Sequence, residues 1–179
     1  MDDAALVARA RTGDWQAFAA LVQRHQATVY RVCYRVLGNR EDAEDAAQEA
    51  FLRAYRKLAT FRGESAFGTW LLRLAVNVAL NERKRRGSRH RWGRPAGPIA
   101  EGERAGAAPG PEADLLRAEA AAQLEQALQS LRPDHQAAVI LRDLEGLSYA
   151  EVAAVLAVPE GTAKGWVHRG RARLKELLA

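Results

Sequence analysis

The chain contains the stretch NREDAEDAAQEAFLRAYRKL at residues 39–58, which predicts an amphipathic helix capped by Asn39. With side chains turning by about 100° per residue, one stripe is apolar and faces a core. Its members are Ala43, Ala47, Ala50, Phe51, Ala54 and Leu58. The opposite face carries Glu41, Asp42, Asp45, Gln48 and Glu49, and Leu52 points into the middle of it.

An apolar side chain ringed by acids has the makeup of a protein-docking surface, which needs a desolvated centre and a charged rim. The partner should be basic where it meets this face. Two other interpretations remain open. The face could be an ordinary solvated one with a single exposed leucine. Alternatively, Asp42, Asp45 and Glu49 could hold Mg²⁺ in a metal-dependent enzyme, although the sequence supplies no supporting ligands.

Helical patterns extend on both sides of this stretch, and no segment shows a sustained strand alternation. Apolar periodicity runs from Asp14 to Gly38, where the glycine predicts a helix end. Further helices are predicted at about residues 67–86, 114–130, 133–144, from a capping box at 148–151, and at about 160–177. Residues 88–113 are rich in Gly and Pro and predict a flexible linker. We therefore expect an all-α fold with two small helical domains, residues 1–87 and 114–179.

The composition indicates a soluble, core-forming chain. Of its 179 residues, 48% are hydrophobic and 27% are charged, with a formal net charge of +5. The one cysteine, Cys33, lies on an apolar helix face and allows no intrachain disulfide, and the histidines show no zinc spacing. Neither a membrane-spanning run nor a signal peptide is visible. We expect a cytoplasmic protein with no metal or other cofactor.

A second surface is predicted on the helix at about residues 67–86. One stripe of this helix carries Trp70, Arg73, Asn77, Asn81 and Lys84 and leads into the basic run at residues 83–86. Aromatic rings stack on unpaired bases, amides bond base edges and basic side chains neutralise phosphates. The small polar loop at residues 61–66 could close over an extruded base. Taken alone, Trp70 is more typical of core packing, and the asparagines are equally typical of an exposed face.

A third surface is predicted near the C-terminus, where a capped helix, a turn at residues 157–159 and a basic helix form a helix-turn-helix pattern. In the last helix, Ala163, Val167, Gly170, Leu174 and Leu178 should face inward. The exposed positions are Lys164, His168, Arg171 and Lys175 on one flank and Thr162, Arg169 and Arg173 on the other. Such a helix can read bases in a major groove. Two basic clusters separated by a linker indicate a polyanion contacted at two places.

In this order and at these separations, the three surfaces resemble bacterial sigma factors of the extracytoplasmic-function (ECF) type in the sigma-70 superfamily. The resemblance is carried by DAEDAAQEAFLRAY at residues 42–55, FRGESAF at 61–67, WLLRLAVN at 70–77, LSYAEVAAVL at 147–156 and VPEGT at 158–162. It implies a non-enzymatic subunit that binds core RNA polymerase, recognises the −10 and −35 elements of promoter DNA and promotes melting.

The resemblance also implies a role for each matched position. Docking onto the clamp helices of the largest polymerase subunit falls to Asp42, Asp45, Gln48, Glu49 and Leu52. Contact with the −10 element falls to Gly63, Glu64, Ser65, Ala66, Phe67, Trp70, Arg73, Asn77 and Asn81, with Lys84, Arg85 and Arg86 on nearby phosphates. Contact with the −35 element falls to Thr162, Lys164, Gly165, Trp166, His168, Arg169, Arg171 and Arg173.

Further partners follow from the same resemblance. The C-terminal domain would sit on the flap of the second-largest polymerase subunit, and an anti-sigma factor would occlude the polymerase-binding faces. No membrane insertion is implied. The family commonly has Ser-Arg-Leu where this chain has Gly165-Trp166-Val167, so Trp166 should replace an exposed reading arginine. The rival hypotheses are a free-standing helix-turn-helix regulator, which would need a dimer interface, and an adaptor protein.

Overall fold

The computed structural model describes residues 2–89 and 111–179, with side chains described for 2–86 and 115–179. This part of the chain is helical and contains no strand, which confirms the predicted all-α class. The helices are α1 (Asp3–Arg11), α2 (Trp15–Leu37), α3 (Arg40–Lys57), α4 (Phe67–Arg89), α5 (Pro111–Gln129), α6 (Pro133–Val139), α7 (Tyr149–Leu156) and α8 (Glu160–Leu178). A 3₁₀ turn, Leu58–Thr60, follows α3, and a π-helical turn, Ile140–Leu144, follows α6.

The predicted linker, residues 88–113, lies outside the described residues except at its two ends. There the structure differs from the prediction, because α4 continues to Arg89 and α5 begins at Pro111. The sequence patterns also gave no sign of α1. That helix buries only Leu6, Val7 and Ala10, which is too few apolar positions to produce a clear periodicity.

The predicted helix ends are confirmed where a local signal defines them. Gly38 ends α2 in the left-handed region, at φ 76°, and its N–H bonds the carbonyl of Tyr34 at 2.7 Å. The Asn39 side chain caps α3 by accepting from the N–H of Asp42 at 2.9 Å. Ser148 and Glu151 form the predicted capping box of α7, with bonds of 2.8 and 3.2 Å.

Helices α2, α3 and α4 form a bundle around a row of small side chains on α3. The residues of α3 that are fully shielded from solvent are Ala43, Ala46, Ala50 and Ala54, at 0–5% exposed. Against them pack the larger side chains of α2 and α4, including Leu21, Val29, Val32, Val36, Leu71 and Val76. Because alanine adds little bulk, the neighbouring helices can approach α3 closely. The opposite face of α3 is left free for polar side chains.

The C-terminal helices pack through a close crossing of α6 and α8. Gly170 lies at this crossing, and a Cβ added there would lie 2.5 Å from Cγ2 of Val139 and 3.1 Å from the backbone oxygen of His135. The predicted inward orientation is confirmed for Ala163, Val167 and Gly170, which are buried, but it is wrong for Leu178, which is 48% exposed. Glycine in a helix interior disfavours helix formation. It is nevertheless needed at this position, because a side chain would not fit in the crossing.

The described residues of both halves share one continuous core, and α4 packs directly on α7. None of the described helices combines the length and the apolar character that crossing a bilayer requires. Cys33 is buried in this core, as the sequence predicts, and burial raises the pKa of its thiol to about 12.

Replacing Gly170 should therefore destabilise the C-terminal half. We expect Gly170→Ala to lower the free energy of unfolding by about 1–3 kcal/mol, because the new methyl group overpacks the α6–α8 crossing. Gly161→Ala is the matched control, since a Cβ at that position of α8 meets nothing within 4 Å. Urea denaturation followed by circular dichroism measures both. Equal stability of the two variants would contradict the close crossing.

Candidate functional site

The exposed face of α3 matches the predicted docking surface in most of its residues. Glu41, Asp45 and Gln48 are exposed, and Glu49 is half-buried. Glu49 forms an ion pair with Arg53, whose Nε donates a hydrogen bond to the Glu49 carboxylate at 2.6 Å. Leu52 is 45% exposed beside these groups, so the structure brings an apolar side chain and several acids together on one surface.

Asp42 is the exception, and the structure corrects its predicted place on this exposed face. Its side chain is 8% exposed and is bonded by the guanidinium of Arg86 from α4 and by the amide of Asn39. Position 42 lies at the edge of the alanine row and turns towards α4. Arg86 also faces Glu82, at 3.5 Å, and is 42% exposed, so this ion pair ties α3 to α4.

The acidic face continues into exposed aromatic residues that the sequence analysis missed. Tyr55 is 53% exposed and Trp15 is 68% exposed. The ring of Phe18 meets Tyr55 edge-on at 5.0 Å between centroids, and Phe18 lies three residues after Trp15 on α2, on a neighbouring part of that helix surface. The spacing of Leu52 and Tyr55, three residues apart on one helix, was the available signal. We call this surface the docking face. It consists of the polar side chains Glu41, Asp45, Gln48 and Glu49 and the exposed apolar side chains Leu52, Tyr55 and Trp15.

The loop before α4 is built on a cluster of three aromatic rings. Phe61 lies 5.0 Å from Trp70 and 5.9 Å from Phe67, measured between ring centroids. Phe67 is 4% exposed, so it supports the loop from the core and does not lie on the surface as predicted. Trp70 is half-buried, and Gly63 supplies the turn with φ 73°.

This loop lines a hollow of about 720 Å³ between the two halves of the chain. Its N-terminal wall contains Phe61, Arg62, Glu64, Ser65, Thr69, Trp70 and Arg73. Ala66 is exposed beside it. The facing wall comes from the end of α7 and the turn before α8, and its residues are Ala153, Ala154, Ala157, Val158 and Pro159. The loop that was predicted to hold a base therefore lies opposite the helix-turn-helix turn in this arrangement.

The remaining predicted −10 residues lie farther along α4. Asn77, Asn81, Lys84 and Arg85 are exposed. Asn81, Arg85 and Arg86 line a second hollow of about 460 Å³ that also includes Asp45, Glu49 and Arg53 of α3. Trp70 and Asn81 are separated by about 16 Å along the helix axis. The predicted stripe is thus divided between two hollows, with Asn77 exposed on the helix between them.

On α8, each predicted basic contact has a partner within the chain. Lys164 bonds Glu160 at 2.8 Å, Arg173 bonds Glu176 at 2.8 Å, Arg169 reaches His135 at 3.4 Å, and Arg171 makes two bonds to Asp143. The carboxylate of Asp143 raises the pKa of Arg171. These cations remain about half exposed, and such surface pairs contribute little stability. A phosphate could therefore replace the carboxylates.

Trp166 is a second correction. It is half-buried and packs against the core, so it does not replace a base-reading arginine on the surface. Gly165 and Thr162 are half-buried, and the terminal nitrogens of Arg169 lie 3.3 and 3.5 Å from the position of a Cβ at Gly165. His168 is exposed. Of the predicted −35 contacts, the exposed ones are Lys164, His168, Arg169, Arg171 and Arg173.

The described residues offer no support for a metal centre. Among them, no group of three or more His, Cys, Asp or Glu side chains is placed to hold a metal ion. Asp42, which the magnesium hypothesis needed, is engaged by Arg86.

Comparison with known proteins identifies the family. Residues 21–89 match the family model of Sigma-70 region 2, and residues 121–174 match that of Sigma-70, region 4. The chain is 39% identical over 180 residues to the RNA polymerase sigma-H factor of Pseudomonas aeruginosa, covering 98% of this chain and 93% of that protein. It is 39% identical over 175 residues to the ECF RNA polymerase sigma-E factor of Escherichia coli, covering 96% and 91%.

Two solved structures share the fold. CnrH, solved in complex with the cytosolic domain of CnrY, has a TM-score of 0.71 at 26% identity over 98% of this chain and 96% of that one. The sigma factor RpoE of Bartonella quintana, solved with the anti-sigma factor NepR, has a TM-score of 0.70 at 24% identity over 90% and 96%, which concerns the fold alone. The fold and the matched regions define a DNA-binding regulator of transcription initiation. The chain belongs to the ECF family of RNA polymerase sigma factors.

The ion pair between Asp42 and Arg86 gives a stability prediction. We expect Asp42→Ala to lower the free energy of unfolding by about 1–3 kcal/mol, because it leaves Arg86 with only the longer contact to Glu82. Asp45→Ala, on the exposed side of the same helix, should change it by at most about 0.5 kcal/mol. Chemical denaturation of the two variants makes the comparison. Losses of the same size would show that Asp42 does not tie α3 to α4.

Proposed function

We propose that this sigma factor binds core RNA polymerase through the docking face and directs it to a two-part promoter. The observation that carries the assignment is that acids of α3 precede the exposed Leu52 on one helix face, which continues into Tyr55 and Trp15. Such a surface fits a basic, amphipathic helical partner, since the apolar centre can be desolvated while the rim forms charge pairs. The clamp helices of the largest polymerase subunit are the proposed partner.

Recognition of the −10 element is assigned to the loop at residues 63–66 with Trp70, Arg73, Asn77 and Asn81. The half-buried indole of Trp70 and the exposed amides offer stacking and base-edge hydrogen bonds to an unpaired strand. Lys84 and Arg85 are exposed for phosphates. Capture of an unstacked base there would favour the melted duplex.

Recognition of the −35 element is assigned to the exposed surface of α8, with the C-terminal half seated on the polymerase flap. Within this proposal, residues 1–87 and 114–179 act as two domains, and residues 88–113 connect them. The protein acts in the cytoplasm with polymerase, catalyses no reaction of its own and needs no cofactor. The solved complex of CnrH with the cytosolic domain of CnrY supports a further protein partner of this chain, which we propose to be an anti-sigma factor.

The function is tested directly by mixing the purified chain with bacterial core RNA polymerase and transcribing a randomised promoter library. We expect a complex that enriches templates with a two-part motif. The free-standing regulator hypothesis predicts the opposite, namely tight sequence-specific binding of duplex DNA by the chain alone and no association with core polymerase.

The docking face gives a charge-reversal prediction. Asp45→Lys combined with Glu49→Lys should weaken binding to core polymerase about a hundredfold, at roughly 1.4 kcal/mol for each charge turned against a basic partner. Helix content should stay unchanged, because both side chains lie outside the core. The control is Glu119→Lys with Glu176→Lys, which makes the same change of charge at exposed positions in the C-terminal half. If the two double variants bound core polymerase with equal affinity, the assignment of this face to polymerase binding would be wrong.

The amide of Asn77 gives a second prediction. We expect Asn77→Asp to reduce open-complex formation by the reconstituted holoenzyme about tenfold, since a carboxylate repels the strand and loses the amide donor. The change is nearly isosteric and exposed, so thermal stability should not move. Gln123→Glu adds the same charge at an exposed site on α5 and should leave melting unchanged. Permanganate footprinting of unpaired thymines measures the difference.

A further inference from the structure

The two halves of the chain meet through an exchange of helix caps. The last turn of α2 leaves carbonyl oxygens that need donors. Gln136 of α6 donates to the oxygens of Arg35, at 3.0 Å, and Val36, at 3.4 Å, while Gln129 of α5 donates to the same Arg35 oxygen at 2.8 Å. Side chains of the C-terminal half therefore satisfy the end of a helix in the N-terminal half.

The reverse exchange is made by Arg83 of α4. Its guanidinium donates to the backbone oxygen of Gln129, the last residue of α5, at 2.8 Å and to that of Leu131, in the turn that follows, at 3.0 Å. It also donates to the side-chain oxygen of Gln136, which is fully buried and so belongs to both exchanges. The backbone approaches closely here, since a Cβ at Gly38 would lie 2.9 Å from Cδ of Gln129.

An ion cluster closes the same interface beside the caps. The carboxylate of Glu145 is 3% exposed and accepts from Arg31 and from Arg35, each at 2.7 Å. Both arginines belong to α2, whereas Glu145 follows the π-helical turn of the C-terminal half. These contacts are polar and directional, and they lie beside the apolar core that the two halves share.

Two half-buried charged groups in this interface are only partly satisfied. The acceptors of Arg83 described above are neutral oxygens, and burial lowers the pKa of its guanidinium. Oε2 of Glu125 on α5 is buried without a hydrogen-bond partner, and burial raises the pKa of this carboxyl, which Arg35 partly opposes. A buried charge that is only partly hydrogen-bonded destabilises the closed interface, whether the charge is positive or negative.

Closure of the interface also limits access to the loop before α4. With the caps in place, residues from the segment 153–159 form one wall of the hollow that contains the loop with Phe61, Ser65 and Trp70. The turn of the helix-turn-helix thus faces the loop assigned to the −10 strand. Arg83 is held inside the interface, whereas Lys84 and Arg85, its neighbours in the basic run, are exposed.

We propose that Arg83, Gln129, Gln136 and Glu145 form a latch that holds the free sigma factor closed, with the helix-turn-helix turn narrowing access to its strand-binding loop. Opening frees the loop and lets Arg83 exchange neutral oxygens for a phosphate, a stronger charge-assisted acceptor. The covering role rests on the proposed function of the loop, but the latch itself does not. The latch variants are Arg83→Gln, which removes one set of caps, and Glu145→Gln, which weakens the ion cluster.

The distance between the halves tests the latch without polymerase or DNA. Spin labels at Gln23→Cys on α2 and Glu176→Cys on α8 occupy exposed sites, and the buried Cys33 stays unlabelled. We expect one narrow distance distribution in the parent chain and a broad, longer one in both latch variants. Arg56→Gln, an equal charge change at an exposed site on α3, should leave it narrow. Glu125→Gln should oppose opening when added to Glu145→Gln, because it removes the unpartnered charge.

Binding of a randomised pool of single-stranded oligodeoxynucleotides tests the covering role. Glu145→Gln, whose site lies in the other half, should bind about fivefold more tightly if the open fraction rises by that factor. Unchanged distances in both latch variants, with native circular dichroism, would overturn the latch. Opening with unchanged oligonucleotide affinity would overturn the covering role. If no variant bound the pool while the distances opened as expected, the proposed function of the loop would fail and the latch would stand.

Discussion

The row of alanines along α3 is the constraint on which the N-terminal bundle depends. Ala43, Ala46, Ala50 and Ala54 carry almost no bulk, so the larger side chains of α2 and α4 supply the apolar surface of the core. One face of α3 is thereby fully used by packing, and the other is free to carry acids around Leu52. The same helix that holds the bundle together presents the docking face, which fixes the face rigidly relative to the loop before α4.

The contact between the two halves is of a different kind. It contains the exchanged caps and the buried carboxylate of Glu145 in addition to apolar packing. Polar contacts lose less on exposure to water, because water replaces their partners. Under the proposed function, each half of the chain contacts one of two promoter elements, and such a chain needs a separable joint. The rigid bundle and the polar joint together allow one sigma factor to be stable in isolation and adjustable on its target.

The sequence predicted local features correctly and failed where a distant contact decides the outcome. Gly38, Asn39 and the Ser148 capping box depend on a few neighbouring residues, so their patterns were sufficient. Asp42 lies one position from the alanine row, and only the placement of Arg86 on α4 shows that it turns inward. Trp166 was assigned outward by its likeness to a family position, but the core accepts its ring. Gln136 gave no sign of its role, because the carbonyls it caps lie about 100 residues away in the chain.

The proposed function depends most directly on contact between the docking face and polymerase. A photo-crosslinking amino acid at position 52, placed where Leu52 is 45% exposed, reports this contact in the assembled holoenzyme. We expect efficient crosslinking to the largest subunit from position 52 and none from the exposed position of Ser130. Normal assembly with no crosslink from position 52 would contradict the proposed function of this face, because polymerase would then hold the sigma factor by another surface.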